Sequence, residues 1–184
     1  MLVQIAAFLI ESLAGFFVLL LLARFHFQWL RVPFQNPVGQ FVLAMTSWLV
    51  MPVRRLVKGL RGWDIATLLL AWAVQALSIA LRLALFGAEP ALASILAVAL
   101  VDLARYSVYL LMFAVLVLAV MSWFRSYSPL TPALEAFTRP FLRPFRRLIP
   151  PVGGFDLTPL ALLLVLQVAL IVLEYVKPMA ARLG

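Results

Sequence analysis

Residues 144–156 read PFRRLIPPVGGFD, and residues 52–64 read PVRRLVKGLRGWD. Pro, Arg-Arg-Leu, Gly and Asp recur at the same relative places, 92 residues apart in a chain of 184. Laying residue n over n+92 needs no gap from 37 to 81, and 14 of those 45 positions are identical. Leucine matches alone would mean little in a chain that is 66% hydrophobic. Matches such as Pro37/Pro129, Thr46/Thr138, Arg54/Arg146, Arg55/Arg147, Asp64/Asp156 and Gln75/Gln167 are harder to obtain by chance. The chain reads as a tandem duplication, with one repeat over 1–92 and a second over 93–184.

Composition sets the class. Only 12% of residues are charged, and the mean hydropathy of +1.10 is far above that of soluble globular chains. A helix needs about 20 predominantly apolar residues to cross the hydrocarbon core. Four stretches qualify, at about 3–23, 65–86, 94–124 and 157–176. The expected fold is all-α and integral to the membrane, with four transmembrane helices in two parallel repeats. Each half crosses twice, so the copies keep one orientation and relate by a pseudo-two-fold axis along the membrane normal. The first stretch lacks the basic n-region of a signal peptide and is expected to remain as a helix. Cysteine is absent, which excludes disulfides, thiolate metal sites and cysteine nucleophiles.

The formal charge of +8 is unevenly placed. Arg24, Arg31, Arg54, Arg55, Lys58 and Arg61 lie between the first two spans, and Arg125, Arg139, Arg143, Arg146 and Arg147 between the last two. The connection GAEP at 87–90 has no basic residue. The positive-inside rule therefore puts both basic segments in the cytoplasm, with the termini and GAEP outside. Lys177 and Arg182 run against that trend.

The basic segments carry helical periodicity. Val38, Phe41, Val42, Met45, Trp48 and Leu49 recur as an apolar stripe over 37–50, with Gln40, Thr46 and Ser47 mostly off it. A second helix over about 129–142 is expected to bury Leu130, Leu134, Phe137 and Phe141, leaving Thr131, Glu135, Thr138 and Arg139 off the face. Both are expected to lie flat at the interface. Asn36 and Ser128 are the expected caps, each followed by a proline, while Asp64 and Asp156 cap the next spans. Pro52, Pro140 and Pro144 are expected to end these helices, and Gly153-Gly154 to turn the chain upright.

The doubled pattern of NP or SP, a Thr some nine residues on, then P-x-R-R-L and G-x-D before an apolar span resembles the YggT family of bacterial and plastid membrane proteins. The resemblance covers nearly the whole chain. Its second copy, LIPPVGGFDLTPL, fits better than the first, LVKGLRGWDIATL, which lacks the Pro-Pro and one Gly. The resemblance implies a bacterial inner-membrane protein associated with osmotic-shock tolerance and cation homeostasis, especially of potassium.

Several polar residues stand out. Arg54, Arg55, Arg146 and Arg147 read either as anchors at anionic headgroups or as a dock for anionic lipid or an acidic membrane partner. Direct contact with nucleic acid is the weaker reading, because basic residues alone are a nonspecific signal. Gln75 and Gln167 fall near the middle of spans two and four, where a polar side chain needs a partner, and their equivalence suggests that they meet. Arg82 and Glu174 occupy equivalent places with opposite charge and are expected to pair. With Glu11, Asp102 and Arg105 they form a candidate interior cluster of net −1, either a helix lock or an ion site.

No phosphate loop, metal cluster or catalytic triad is visible, so no cofactor is expected and nothing favours an enzyme. Two readings remain. One is a protein that conducts or couples to ions, expected as a homo-oligomer because four spans make a thin-walled pore. The other is a scaffold or assembly factor that recruits partners or anionic lipid through basic interfacial helices.

Overall fold

The computed structural model describes residues 1–57, 64–124, 128–149 and 156–183, with backbone alone at 123 and 124. Lys58, Arg61, Gly153 and Gly154 lie outside the described residues, as does the turn read at Gly153-Gly154. Six helices follow in order: α1 Leu2–Trp29, α2 Pro37–Leu56, α3 Ile65–Leu85, α4 Leu92–Phe124, α5 Thr131–Leu148 and α6 Thr158–Ala180. Among them α1, α3, α4 and α6 are long and apolar enough to cross a membrane. At 1.5 Å per residue, the 21 residues of α3 span about 31 Å, close to one hydrocarbon core.

Each half presents a long helix, a shorter one and a long one. Helix α1 packs most closely on α3 and α4 on α6; α2 rests on α1 and α3, and α5 on α4 and α6. The halves meet where α4 touches α1 and α3, whereas α6 makes little contact with α1. One apolar core joins Phe27, Leu111, Val115, Phe137, Leu142 and Leu162 beside α5. A second joins Val18, Leu21, Leu22, Val50, Ala71 and Leu103. Large apolar side chains such as Leu13, Phe113 and Leu164 face outward, as lipid contact requires.

Helix ends follow their local chemistry. Asn36 caps α2: its Oδ1 accepts from the Gly39 amide at 2.9 Å. Gly39 must lack a Cβ, which would stand 2.6 Å from the Phe34 carbonyl oxygen. Gly87, at φ +69°, ends α3 with the amides of Gly87 and Ala88 bonded to Ala84 and Leu83. Arg31 plays the same part after α1 at φ +54°, where a side chain is strained.

The proline expectation fails. Helix α2 runs through Pro52 to Leu56, and α5 through Pro140 and Pro144 to Leu148. All three prolines lie on the exposed side, so the carbonyls they leave unpaired turn away from the core. Helix α5 also starts later than expected, at Thr131. Ser128 accepts from the Leu130 amide at 3.2 Å, heading the preceding turn instead of capping the helix.

The packed faces differ from the expected stripes as well. Helix α2 buries Gly39, Val42, Thr46 and Val50, while Val38, Phe41 and Trp48 point outward. Helix α5 buries Ala133, Phe137, Thr138 and Leu142. Thr46 and Thr138, expected off the face, are fully buried. Hydrogen bonds of their hydroxyls to the carbonyls of Val42 and Leu134 make that burial tolerable.

Candidate functional site, a charged cavity within the bundle

Helix α3 places Gln75 ten residues from each of its ends, at the middle of the span. Its Nε2 donates to Asp102 Oδ2 on α4 at 3.0 Å. Asp102, only 6% exposed, also holds Lys177 Nζ of α6 at 2.6 Å and lies 3.7 Å from Arg105 Nη1 one turn along α4. Arg105 in turn reaches Glu174 of α6 at 3.1 Å, and Arg82 of α3 reaches Glu11 of α1 at 2.8 Å. Three acidic and three basic side chains thus cancel, as charges in a low-dielectric interior must.

A cavity of about 610 Å³ opens among these helices, walled by Glu11, Arg82, Asp102 and Lys177 together with apolar Phe8 and Ile79. Phe86 and Pro90 line its mouth, so it opens at the α3–α4 turn, away from α2 and α5. Beyond Asp102 toward those helices, Val18, Leu21, Leu22, Ala71 and Leu103 close the bundle with an apolar layer. Among the described residues the polar groups of one chain do not run on through it.

Two expected pairings are corrected. Gln167 is exposed on α6 and does not meet Gln75. Nor do Arg82 and Glu174 pair, since each bonds within its own half. A shift of 94 residues relates the first helices of the halves, laying Trp29-Leu30-Arg31 over Trp123-Phe124-Arg125 and Glu11 over Arg105. Glu11–Arg82 and Arg105–Glu174 are therefore equivalent bridges with their charges exchanged. By the same shift Asp102 lies over Phe8, so the first half offers Gln167 no carboxylate. Lys177, read from sequence only as an exception to the charge rule, completes the cluster. Its signal was a lysine ending an apolar run three residues after Glu174.

At the other end the arginine pairs divide. Arg54 bridges Asp64 at 2.5 Å and donates to Gln28 at 2.7 Å. Arg146 bridges Asp156 at 3.3 Å. Arg55 and Arg147 are exposed and have no ionic partner among the described residues. Asp64 caps α3 through the Thr67 amide and hydroxyl. Asp156 accepts from the Thr158 amide at 2.9 Å, one position ahead of the helix cap. Burial alone would push both carboxyls up. For Asp64 the bonds from Arg54 and Thr67 outweigh it, and for Asp156 those from Thr158 with the Arg146 charge, so both sit below the ordinary carboxylate range.

Arg24, counted in the sequence among the loop cations, is instead 4% exposed inside α1. It donates to Thr46 at 2.8 Å and Ser47 at 3.2 Å, and its Nε has no hydrogen-bond partner among the described residues. The run LLLLARF, with a lone charge inside an apolar stretch, was its signal. Among the described residues no three His, Cys, Asp or Glu side chains gather as a metal site requires.

These features define a multi-pass helical membrane protein with a charged cavity inside the bundle. The CCB3/YggT family model matches residues 3–85 and 97–176, and the chain belongs to that family. An uncharacterized protein of Pseudomonas aeruginosa is 31% identical over 183 residues, covering 97% of this chain and 92% of the relative. The uncharacterized protein YggT of Escherichia coli K12 is 35% identical over 162 residues, covering 88% and 85%. No solved structure matches.

Proposed function

We propose that this protein is a non-enzymatic, multi-pass component of the bacterial inner membrane that handles cations, potassium among them, and supports osmotic-stress tolerance. The observation that carries this reading is Asp102, buried ten residues into α4 yet on the wall of a cavity open at one end. Lys177 Nζ, 2.6 Å away, is a tethered cation seated where a mobile one would bind. The Oε1 of Gln75 is a second acceptor beside it. A cation entering the cavity would compete with the ammonium for these oxygens. The apolar layer beyond Asp102 limits one chain to a blind vestibule, so passage through the membrane requires a homo-oligomer.

In this reading α2, α5 and their arginines lie flat at the cytoplasmic interface, and the cavity opens outward. Outward Phe41 and Trp48 on α2 support the first point, and the basic residues gathered at one end support the second. The two segments matched by the family model support two tandem repeats, 1–92 and 93–184. A second reading, a scaffold for anionic lipid or a membrane partner, is favoured by exposed Arg55, Arg143 and Arg147, which have no ionic partner among the described residues.

Potassium flux into liposomes bearing the purified protein tests the first reading. Asp102→Asn should abolish flux, and Lys177→Met, which removes the competing ammonium, should raise it. Flux no greater than in empty liposomes, for wild type and Lys177→Met alike, would discard the ion reading in favour of the scaffold.

A further inference from the structure

Helix α6 keeps a packing face of its counterpart α3 but not the cover. Leu160, Leu164, Gln167, Ile171 and Glu174 follow one another at spacings of four and three residues, which lines them along one side of the helix. The 92-residue shift lays them over Leu68, Trp72, Gln75, Ile79 and Arg82 of α3, and three of the five are unchanged. On α3 this side is packed, with Gln75 and Ile79 only 3% and 6% exposed. Trp72 donates to the Leu96 carbonyl of α4 at 3.0 Å, Gln75 to Asp102, and Arg82 to Glu11. On α6 all five are exposed, Leu164 at 63% and Ile171 at 48%. The reason is that α6 makes little contact with α1, the helix equivalent to α4.

Exposed leucines suit lipid, but Gln167 does not. It stands nine residues from the start of α6 and thirteen from its end, too deep for a short side chain to reach the headgroups on either side. Its amide has no hydrogen-bond partner among the described residues, and hydrocarbon supplies none. Helix α1 of the same chain offers nothing at that level, since Phe8 stands where α4 has Asp102. A second α6 does. A carboxamide carries both donors and an acceptor, so a two-fold axis along the membrane normal brings each Gln167 onto a group that complements it. Leu160, Leu164 and Ile171 then pack on their own copies. Glu174, whose charge Arg105 answers at 3.1 Å, brings no unbalanced charge to the seam.

We propose that two copies of this protein associate through α6, the Gln167 side chains bonded to each other at the centre of a seam formed by Leu160, Leu164 and Ile171. One polar pair in an apolar seam fixes register and partner as well as adding affinity. The interface gives a face to the homo-oligomer that ion passage requires, but it does not depend on ion handling.

The chain has no cysteine, so a single introduced thiol reports contact without background. The full-length protein in liposomes at a high ratio of lipid to protein, oxidised with copper phenanthroline, provides the test. Leu164→Cys and Ile171→Cys should give disulfide-linked dimers, whereas Val165→Cys and Val172→Cys, exposed on another side of α6, should not. Single-molecule photobleaching should count chains in pairs, and Gln167→Leu should weaken the pairing about tenfold. That change alters both members of the pair and leaves no amide unpaired, so each chain still folds. Single chains throughout, cross-links off the seam as readily as on it, pairing as tight in Gln167→Leu as in wild type, or a different polypeptide linked to the seam would each overturn the proposal. A dimer that meets these expectations yet passes no potassium would discard the ion reading alone.

Discussion

Arg82 of α3 bonds Glu11 of α1 at 2.8 Å, and its charge-reversed equivalent in the second half is the Glu174–Arg105 bridge at 3.1 Å. The two halves keep the same interhelical lock but exchange which helix carries the cation. Glu11→Arg with Arg82→Glu should therefore recover most of the stability lost in either single variant, a coupling of about 0.5–1 kcal/mol given the exposure of Glu11. Arg82→Glu with Glu174→Arg should instead add the two losses, because each change faces a like charge. Thermal denaturation in one detergent reads both, and recovery in the second double variant would contradict the pairing.

The two equivalent glutamines should behave differently. Gln75→Leu leaves buried Asp102 short of a hydrogen bond and should cost about 1–3 kcal/mol. Gln167→Leu, on an exposed face of α6, should be neutral or mildly stabilising in lipid. Unfolding of both variants under the same conditions decides the matter, and equal losses would mean that Gln167 has a partner.

Arg31 holds a left-handed backbone at φ +54° where α1 ends, and its side chain is exposed. Arg31→Gly should stabilise by about 0.5–1 kcal/mol, the relief of strain less the added freedom of the unfolded glycine. Arg31→Ala keeps the strain and should show no such gain. A lower melting temperature for Arg31→Gly would mean that its side chain contributes more than its backbone costs.

Acid should loosen the basic end first. Asp64 and Asp156 have folded values below their ordinary 3.8, so each contributes stability that is fully present above about that pH. The contribution is lost as pH falls through the lower folded values. Melting temperatures between about pH 7 and pH 2 should drop below about pH 4, less steeply in Asp64→Asn. A slope unchanged by that substitution would show that other carboxylates set the acid limit.

The apolar spans and the starts of α2 and α3 were readable because each is decided by nearest neighbours in sequence, whereas the ends of α2 and α5 were not. Runs of apolar residues specify spans, Asn36 and Asp64 specify starts through bonds to amides three residues on, and Gly87 specifies a stop. The doubling of PxRRL and GxD was readable for the same reason: equivalent Arg54–Asp64 and Arg146–Asp156 bridges each close over ten residues. That Glu11, Arg82, Asp102, Arg105 and Glu174 share one region also followed from their depth along the spans.

Which of them touch did not follow. Depth along a helix is written in sequence, but rotation about its axis and the choice of neighbour are set by packing among all helices. Helix α3 lies against α4 while α6 stays largely clear of α1, so Gln75 finds Asp102 and Gln167 finds no carboxylate among the described residues. The same packing draws Lys177 inward and seats Arg24 under α2. Sequence by itself determined the class, the four apolar spans and the stock of interior charges. Tertiary structure alone decided their pairing, because burial in a low-dielectric bundle forces each charge onto whichever partner the broken symmetry brings within reach.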